Sequence, residues 1–227
     1  MKKFIIAFAF LMFCTGAYAH TEFKFSVNKE DVLKVNKVGY KLLNASRIEH
    51  KMTFELIDKK YVNACTYYRN NLISVTDELL KLTESEDELA AVLAHEISHG
   101  VDYRQGMFKG YFSYLGSQLN SKKYEYKADK RAVDYMVKAG YNPLASIITL
   151  NKIATQGRYD WHSSHPLTSR RMSEIYEYIY TKYPQYLVQN EYKDNIYYQN
   201  FLIVSKENRA KLEQKVKSNS RKKVKYQ

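Results

Sequence analysis

The sequence from Glu88 to Gly100 reads ELAAVLAHEISHG. Its apolar first half predicts a largely buried helix, because Leu, Ala and Val cover every side of the turns. His95 and His99 are four residues apart, so both rings project from one face, about 6 Å apart along the axis. Two such imidazoles can bind one zinc ion at about 2.0 Å each. Glu96 lies about 100° round the helix, where it can act as a base without being a ligand.

A zinc site of this kind needs a third protein ligand and one open position. Glu125 is the candidate, 26 positions after His99 on the next predicted helix. Asp129 follows one turn later and can accept the second ring N–H of a ligating histidine. The alternative is a pair of surface histidines and a solvated acidic face. The apolar surroundings oppose this alternative, because buried histidines and carboxylates need partners. We therefore expect one Zn²⁺ per chain.

The composition is that of an ordinary globular protein, with 227 residues, 45% apolar and 26% charged. These values exclude a disordered or collagen-like chain, and three prolines with eight glycines oppose a turn-dense all-β fold. The hydrophobic pattern predicts elements over 29–47 (helix), 52–57, 63–69 and 72–76 (strands), then 77–82, 86–103, 122–139, 143 onward and 168–182 (helices). Gly140 is expected to end one helix and Pro143 to start the next. The class is therefore α+β, mostly helical, with a small antiparallel-type sheet.

The first nineteen residues have the features of a secretory signal peptide. Lys2 and Lys3 precede the apolar run 4–13, and Ala17-Tyr18-Ala19 is a small-x-small cleavage site. A membrane anchor is the alternative, but ten apolar residues are too few to span the bilayer. Lipidation at Cys14 is disfavoured by the bulky residue before it. We expect export, with the periplasm as the compartment, a metallopeptidase domain over 20–190 and a basic extension over 191–227.

The formal net charge of +12 suits acidic partners. Seven Lys or Arg and one acid follow from Lys211 onward, and this basic tail is expected to allow peripheral contact with an anionic membrane. No nucleic-acid-binding motif accompanies the charge, so we expect no nucleic-acid partner. Cys65 is expected to be a small buried side chain, although a reactive thiol is the alternative.

Four blocks of sequence together resemble one family. They are Asn63-Ala64 with 73–76; 88–99; Glu125 with Ala128-Asp129 and 139–143; and His165-Pro166 with Arg171. In these the chain resembles the forty-eighth metallopeptidase family, the HtpX and CAAX-prenyl-protease type of gluzincins. It is most similar to the soluble exported branch, the BepA-like periplasmic peptidases. The stretch between His99 and Glu125 looks short for the family, and the basic tail has no counterpart in it.

The resemblance implies a zincin-like fold and a zinc endopeptidase that acts in quality control of envelope or outer-membrane proteins. Glu96 would be the general base, and His165 and Arg171 candidate donors to the oxyanion. His165 could instead be a fourth zinc ligand that holds the enzyme latent. Unfolded or extended polypeptides would add a strand along an edge near 63–68, at Asn63, Ala64, Cys65 and Thr66. The alternative is a zinc-stabilised, chaperone-like binding module with a silent or latent peptidase site.

Overall fold

A computed structural model describes residues 27–67, 69–104, 121–155 and 168–226. Within these ranges the elements are α1 (Lys29–Ala45), β1 (Thr53–Ile57), β2 (Ala64–Tyr67), β3 (Leu72–Thr76), α2 (Asp77–Leu82), α3 (Glu86–Arg104), α4 (Ser121–Lys138), α5 (Ala145–Thr155), α6 (Thr168–Lys182), α7 (Gln185–Val188), α8 (Ile196–Val204) and α9 (Lys206–Lys217). The mostly helical α+β class is confirmed. The sequence prediction gives the same bounds for β3, α2 and α6, and the other elements that it predicts agree to within a few residues. Helix α5 begins at Ala145, after a turn at 143–144, and not at Pro143. The prediction gives no bounds for α7, α8 and α9.

Local capping chemistry explains the ends of several helices. The Ser85 hydroxyl accepts a hydrogen bond from the Glu88 backbone N–H at 3.2 Å, and this Ser-x-x-Glu capping pattern begins α3. Gly140 has φ +73° after α4, and the backbone N–H of Tyr141 donates to the carbonyl of Met136. This is the left-handed turn that glycine permits at a helix C-terminus, as predicted.

The three strands form one sheet in the order β1-β3-β2. β2 is antiparallel to β3, as expected, and the two are joined by a turn in which Asn71 has φ +56°. β1, however, is parallel to β3, so the sheet is mixed and the expected antiparallel-type sheet is correct only for one pair. The reason is the six-residue connection 58–63, which crosses the end of β3 and places β2 on its far side.

Helix α3 lies at the centre of the fold, with every residue from 88 to 102 buried. It packs against α1, β2, β3, α4 and α5. Gly39 lets α1 approach the sheet closely, because a Cβ at that position would lie 2.5 Å from the Phe54 ring. A second apolar cluster joins α4, α5, α6 and α8. Neighbouring elements therefore enclose the central helix on all sides.

Ion pairs to buried carboxylates fix α3 near both ends. Near its start, Glu88 binds the Lys152 ammonium of α5 at 2.8 Å, and both side chains are at most 3% exposed. Near its end, Asp102 binds Lys127 at 2.6 Å and Arg131 at 2.9 Å, both from α4. Removing one partner of such a pair leaves a buried charge without compensation, so these contacts fix the orientation of α3 against its neighbours.

The C-terminal segment, residues 191–226, packs against the rest of the chain. Phe201 of α8 and Leu212 of α9 are each 1% exposed, and the Tyr192 hydroxyl donates to Asp87 at 2.7 Å. The domain boundary at residue 190 stays a prediction. In the part of the chain described, no helix has the length and apolar character needed to cross a bilayer.

Candidate active site

The side chains of His95, His99 and Glu125 converge between α3 and α4, and all three are buried. The Nε2 atoms of the two histidines lie 3.0 Å apart. Glu125 places Oε2 3.3 Å from Nε2 of His95 and Oε1 3.2 Å from Nε2 of His99. The three residues that the sequence predicts as ligands are therefore brought together, although α3 and α4 are separated in sequence.

This arrangement fits a tetrahedral zinc site. Zinc bonds to nitrogen and oxygen are about 2.0–2.2 Å long, so neighbouring ligand atoms around a tetrahedral ion are about 3.3 Å apart. The two Nε2 atoms are 3.0 Å apart, and each has one Glu125 oxygen at 3.2–3.3 Å, a different oxygen for each ring; these separations are close to that value. Two imidazoles and one carboxylate are also a donor set that zinc takes in catalytic sites. The geometry supports the prediction of one zinc ion.

Asp129 holds His95 from the side opposite the other ligands. Its Oδ1 lies 3.0 Å from Nδ1 of His95, as the sequence predicts. The Arg171 guanidinium of α6 in turn donates two hydrogen bonds to Asp129, from Nε to Oδ2 at 2.8 Å and from Nη2 to Oδ1 at 2.7 Å. Its Nη1 lies 3.0 Å from Oε2 of Glu125. Arg171 therefore contacts Asp129, which orients the His95 ring, and Glu125, which is itself a proposed ligand.

The charges in this cluster shift the pKa values of its members. Burial raises the pKa of Asp129, but the charge and hydrogen bonds of Arg171 and the contact with His95 outweigh burial and hold the value at about 2. Burial and the Arg171 charge lower the pKa of His95, but the hydrogen bonds to Asp129 and Glu125 outweigh them and raise it to about 9. A metal ion must displace that ring proton before His95 can bind it.

Glu96 lies beside the ligands, 1% exposed, and points toward the sheet. The hydroxyl of Thr66 in β2 lies 2.8 Å from Oε2 of Glu96 and 2.8 Å from its backbone oxygen, and its one proton serves these two acceptors. The strand is thus connected directly to the predicted base. Sequence reasoning missed this contact because it places Thr66 among the substrate-binding residues.

The four predicted substrate-binding residues lie at the start of β2 and within it. β2 pairs only with β3 among the described strands, so it is an edge strand, as predicted. Ala64 and Thr66 are buried, whereas Asn63 and Cys65 are partly exposed. The pKa of the Cys65 thiol rises to about 11, through burial first and the Glu96 charge second, which favours an unreactive side chain.

His165 lies outside the described residues, so its predicted role as oxyanion donor or latent fourth ligand stays a prediction. Arg171 is 1% exposed and bound by Asp129 and Glu125. This position favours a role in holding the ligands, and its predicted role as a donor to the oxyanion also stays a prediction. No local sequence signal indicates the Arg171–Asp129 pair, because the two residues are 42 positions apart on different helices.

Comparison with known families agrees with this geometry. The profile of Peptidase family M48 matches residues 30–103 and 104–179, which include every residue of the cluster. The chain belongs to peptidase family M48. The predicted resemblance is therefore confirmed.

Individual relatives are more distant. The chain is similar to the beta-barrel assembly-enhancing protease of Yersinia pestis, with 25% identity over 181 residues, 62% of this chain and 37% of the relative. The proteins of the same name from Escherichia coli strain K12 and Shigella flexneri are 23% identical over the same shares. The chain thus spans little more than a third of the length of these relatives.

Proposed function

We propose that the protein is a zinc-dependent endopeptidase that hydrolyses peptide bonds in unfolded or misassembled proteins of the cell envelope. One observation carries the proposal. His95, His99 and Glu125 converge at the separations of a tetrahedral zinc site, and the buried Glu96 carboxylate lies on the same helix as the two histidines. Membership of a peptidase family supports the hydrolytic activity.

His95, His99 and Glu125 would hold the ion, which supplies a Lewis acid that polarises the scissile carbonyl. Glu96 takes a proton from the attacking water and passes it to the leaving amine. Thr66 keeps the Glu96 carboxylate in one orientation through the 2.8 Å contact. Asp129 fixes the His95 ring through Nδ1, and Arg171 fixes Asp129.

The substrate is proposed to bind as an extended strand along β2. An edge strand presents unpaired backbone groups, and a polypeptide that pairs with them is recognised by its backbone more than by its side chains. Such recognition suits unfolded or extended segments of many sequences. The relatives are named for β-barrel assembly, which supports substrates among outer-membrane proteins. The signal-like start of the sequence supports export to the periplasm.

The test is Glu96→Gln in the purified protein, assayed for hydrolysis of unfolded casein and for zinc content. Hydrolysis should be abolished while zinc stays near one per chain, because Glu96 is a base and not a ligand. Lys29→Gln, on the exposed surface of α1, is the control and should retain both properties. A substantial residual rate in Glu96→Gln, or loss of zinc along with activity, would refute the assigned role.

The competing function is a zinc-stabilised binding module whose peptidase site is silent. A structural zinc site has no need of a base and normally closes its fourth position with a protein ligand. In the described residues the site holds three candidate ligands and a neighbouring carboxylate, which favours the peptidase. Zinc-bound wild-type protein that never cleaves casein, yet prevents its aggregation, would favour the binding module instead.

A further inference from the structure

A basic groove lies at the C-terminal end of the chain, far from the metal ligands in sequence. It has a volume of about 570 Å³ and is formed by α9 and the residues that follow it, with five lysines in its lining: Lys211, Lys215, Lys222, Lys223 and Lys225. The hydroxyl-bearing residues Ser218 and Ser220 also line it. Its size exceeds that of a single phosphate and suits a ligand with several anionic groups.

The path of the chain that forms the groove is fixed by hydrogen bonds. Asn219 has φ +48°, its N–H donates to the carbonyl of Val216, and the N–H of Ser220 donates to that of Lys215. These are the paired bonds of a helix-ending turn that reverses the chain direction, with asparagine in the left-handed position. Residues 218–226, here called the strap, therefore leave α9 in a defined direction.

The far end of the strap is anchored on α6. Val224 and Tyr226 are buried, although neither lies in a helix or strand. The Tyr226 hydroxyl donates to Glu177 at 2.7 Å. Lys223 binds Glu174 at 3.2 Å, and Lys215 of α9 binds Glu177 at 2.6 Å. Both walls of the groove are thus attached to the same helix, and the groove exists before any ligand binds.

The lysines of the groove divide into two groups. Lys215 and Lys223 are neutralised by the carboxylates of α6. Lys211, Lys222 and Lys225 are exposed and have no carboxylate within ion-pair distance in the ranges that the structure describes. Three lysines that have no carboxylate partner among the described residues therefore line one concave surface. Their mutual repulsion is unfavourable, and an anion in the groove would relieve it.

We propose that this groove binds a polyanionic, phosphate-bearing ligand. Lysine ammonium groups are compact charges that bind phosphate oxygens without the geometric demands of the arginine fork. The Ser220 hydroxyl accepts from the Lys222 backbone N–H at 3.3 Å and keeps its own proton, so it can donate to the same oxygens. Anionic phospholipid headgroups and soluble polyphosphates share this chemistry, and the experiment below distinguishes the two sources. The site is separate from the proposed peptidase centre and does not depend on its activity.

The experiment measures binding of the purified protein to two probes. Vesicles of phosphatidylglycerol and phosphatidylcholine in equal parts are compared with pure phosphatidylcholine by co-sedimentation, and sodium tripolyphosphate is titrated by calorimetry. The groove variant is Lys211→Gln/Lys222→Gln/Lys225→Gln. The matched control, Lys29→Gln/Lys59→Gln/Lys60→Gln, removes the same charge from exposed lysines of α1 and of the connection between β1 and β2. All variants share one N-terminus, so the apolar segment before Ala19 contributes equally.

We expect the groove variant to bind at least one anionic probe about 100-fold more weakly than wild type, since each lysine near an anionic surface contributes about 1 kcal/mol. The control should stay within a few-fold of wild type. Retention of binding by Lys211→Arg/Lys222→Arg/Lys225→Arg supports the proposal as well. Binding to anionic vesicles without binding to tripolyphosphate identifies a lipid headgroup as the ligand. Binding to tripolyphosphate without binding to vesicles identifies a soluble polyphosphate.

Two results would overturn the proposal. Equal loss in the groove variant and the control would mean that net charge, and not the groove, binds the probes. No binding of wild type to either probe would do so directly. Circular dichroism of each variant checks folding, and Lys222→Gln alone, at an exposed position outside any helix, serves if the triple variant does not fold.

Discussion

Replacing Thr66 with valine removes the hydroxyl that contacts Glu96 and changes the side-chain shape little. In the folded protein Thr66 is 8% exposed and its Oγ1 lies 2.8 Å from Oε2 of Glu96, so water cannot easily take its place. A hydrogen bond to a charged group contributes about 1.5–3 kcal/mol, and each 1.36 kcal/mol is tenfold in rate. The buried carboxylate that loses this bond becomes free to rotate away from the reacting water.

We therefore expect kcat to fall about 10- to 100-fold in Thr66→Val while KM changes little, because the edge-strand backbone remains. Thr66→Ser keeps the hydroxyl and should recover most of the rate. Tyr40→Phe removes a hydroxyl from an exposed side chain of α1 and should behave as wild type. The assay is steady-state cleavage of one unfolded substrate at matched zinc content.

The outcome separates a positioning role from a structural one. A kcat within twofold of wild type for Thr66→Val would refute the role assigned to the hydroxyl. An equal loss in the serine and valine variants, together with reduced zinc content, would show that the strand merely supports the fold around the metal.

Three further predictions concern charge. Glu125→Ala should lose zinc under chelator challenge, whereas Asp129→Ala should lower the zinc affinity by only about 10–100-fold. Metal analysis at controlled free zinc measures both effects. Full zinc occupancy in Glu125→Ala would place the third ligand elsewhere. Arg171→Met leaves two buried carboxylates without their cation and should lower the free energy of unfolding by about 3–5 kcal/mol in urea titrations, whereas a loss under 1 kcal/mol would contradict the cluster geometry. Burial raises the pKa of Glu177, but hydrogen bonds and charge from the C-terminal segment outweigh burial and lower it. The contribution of Glu177 to stability is therefore present above its unfolded pKa of about 4.3 and is lost as pH falls through the lower pKa of the folded state. In Glu177→Gln the free energy of unfolding, measured by urea titration at a series of pH values, should therefore fall less steeply toward acid pH.

The parts of the fold that the sequence predicts well are those with local causes. Ser85 with Glu88, and Gly140, each mark a helix end through contacts within a few residues of sequence. The four-residue spacing of His95 and His99 by itself places both side chains on one face of the helix. The third ligand can be predicted because Glu125 and Asp129 repeat that one-turn spacing on a second helix, which the run 139–143 follows.

The remaining features depend on contacts between distant residues. Alternating hydrophobicity predicts that a segment is a strand but not which strand it pairs with. The parallel pairing of β1 with β3 therefore does not follow from the pattern. Thr66 and Glu96 are 30 positions apart, and nothing near either one indicates their contact. The lysines of the basic tail have the sequence pattern of a solvated extension, yet Lys215 and Lys223 have acidic partners on α6. Lys215 reaches its partner from α9, and Lys223 reaches its partner because the turn at Asn219 reverses the chain.

The burial of α3 along fifteen consecutive residues has a kinetic consequence. A helix enclosed on every side cannot fray or swing out on its own, so its amide hydrogens should exchange with solvent only when the whole core opens. The two imidazoles and the base therefore share the slowest-opening part of the molecule. On warming, their mutual spacing should persist until the cooperative transition, and catalytic competence should disappear with the fold and not ahead of it.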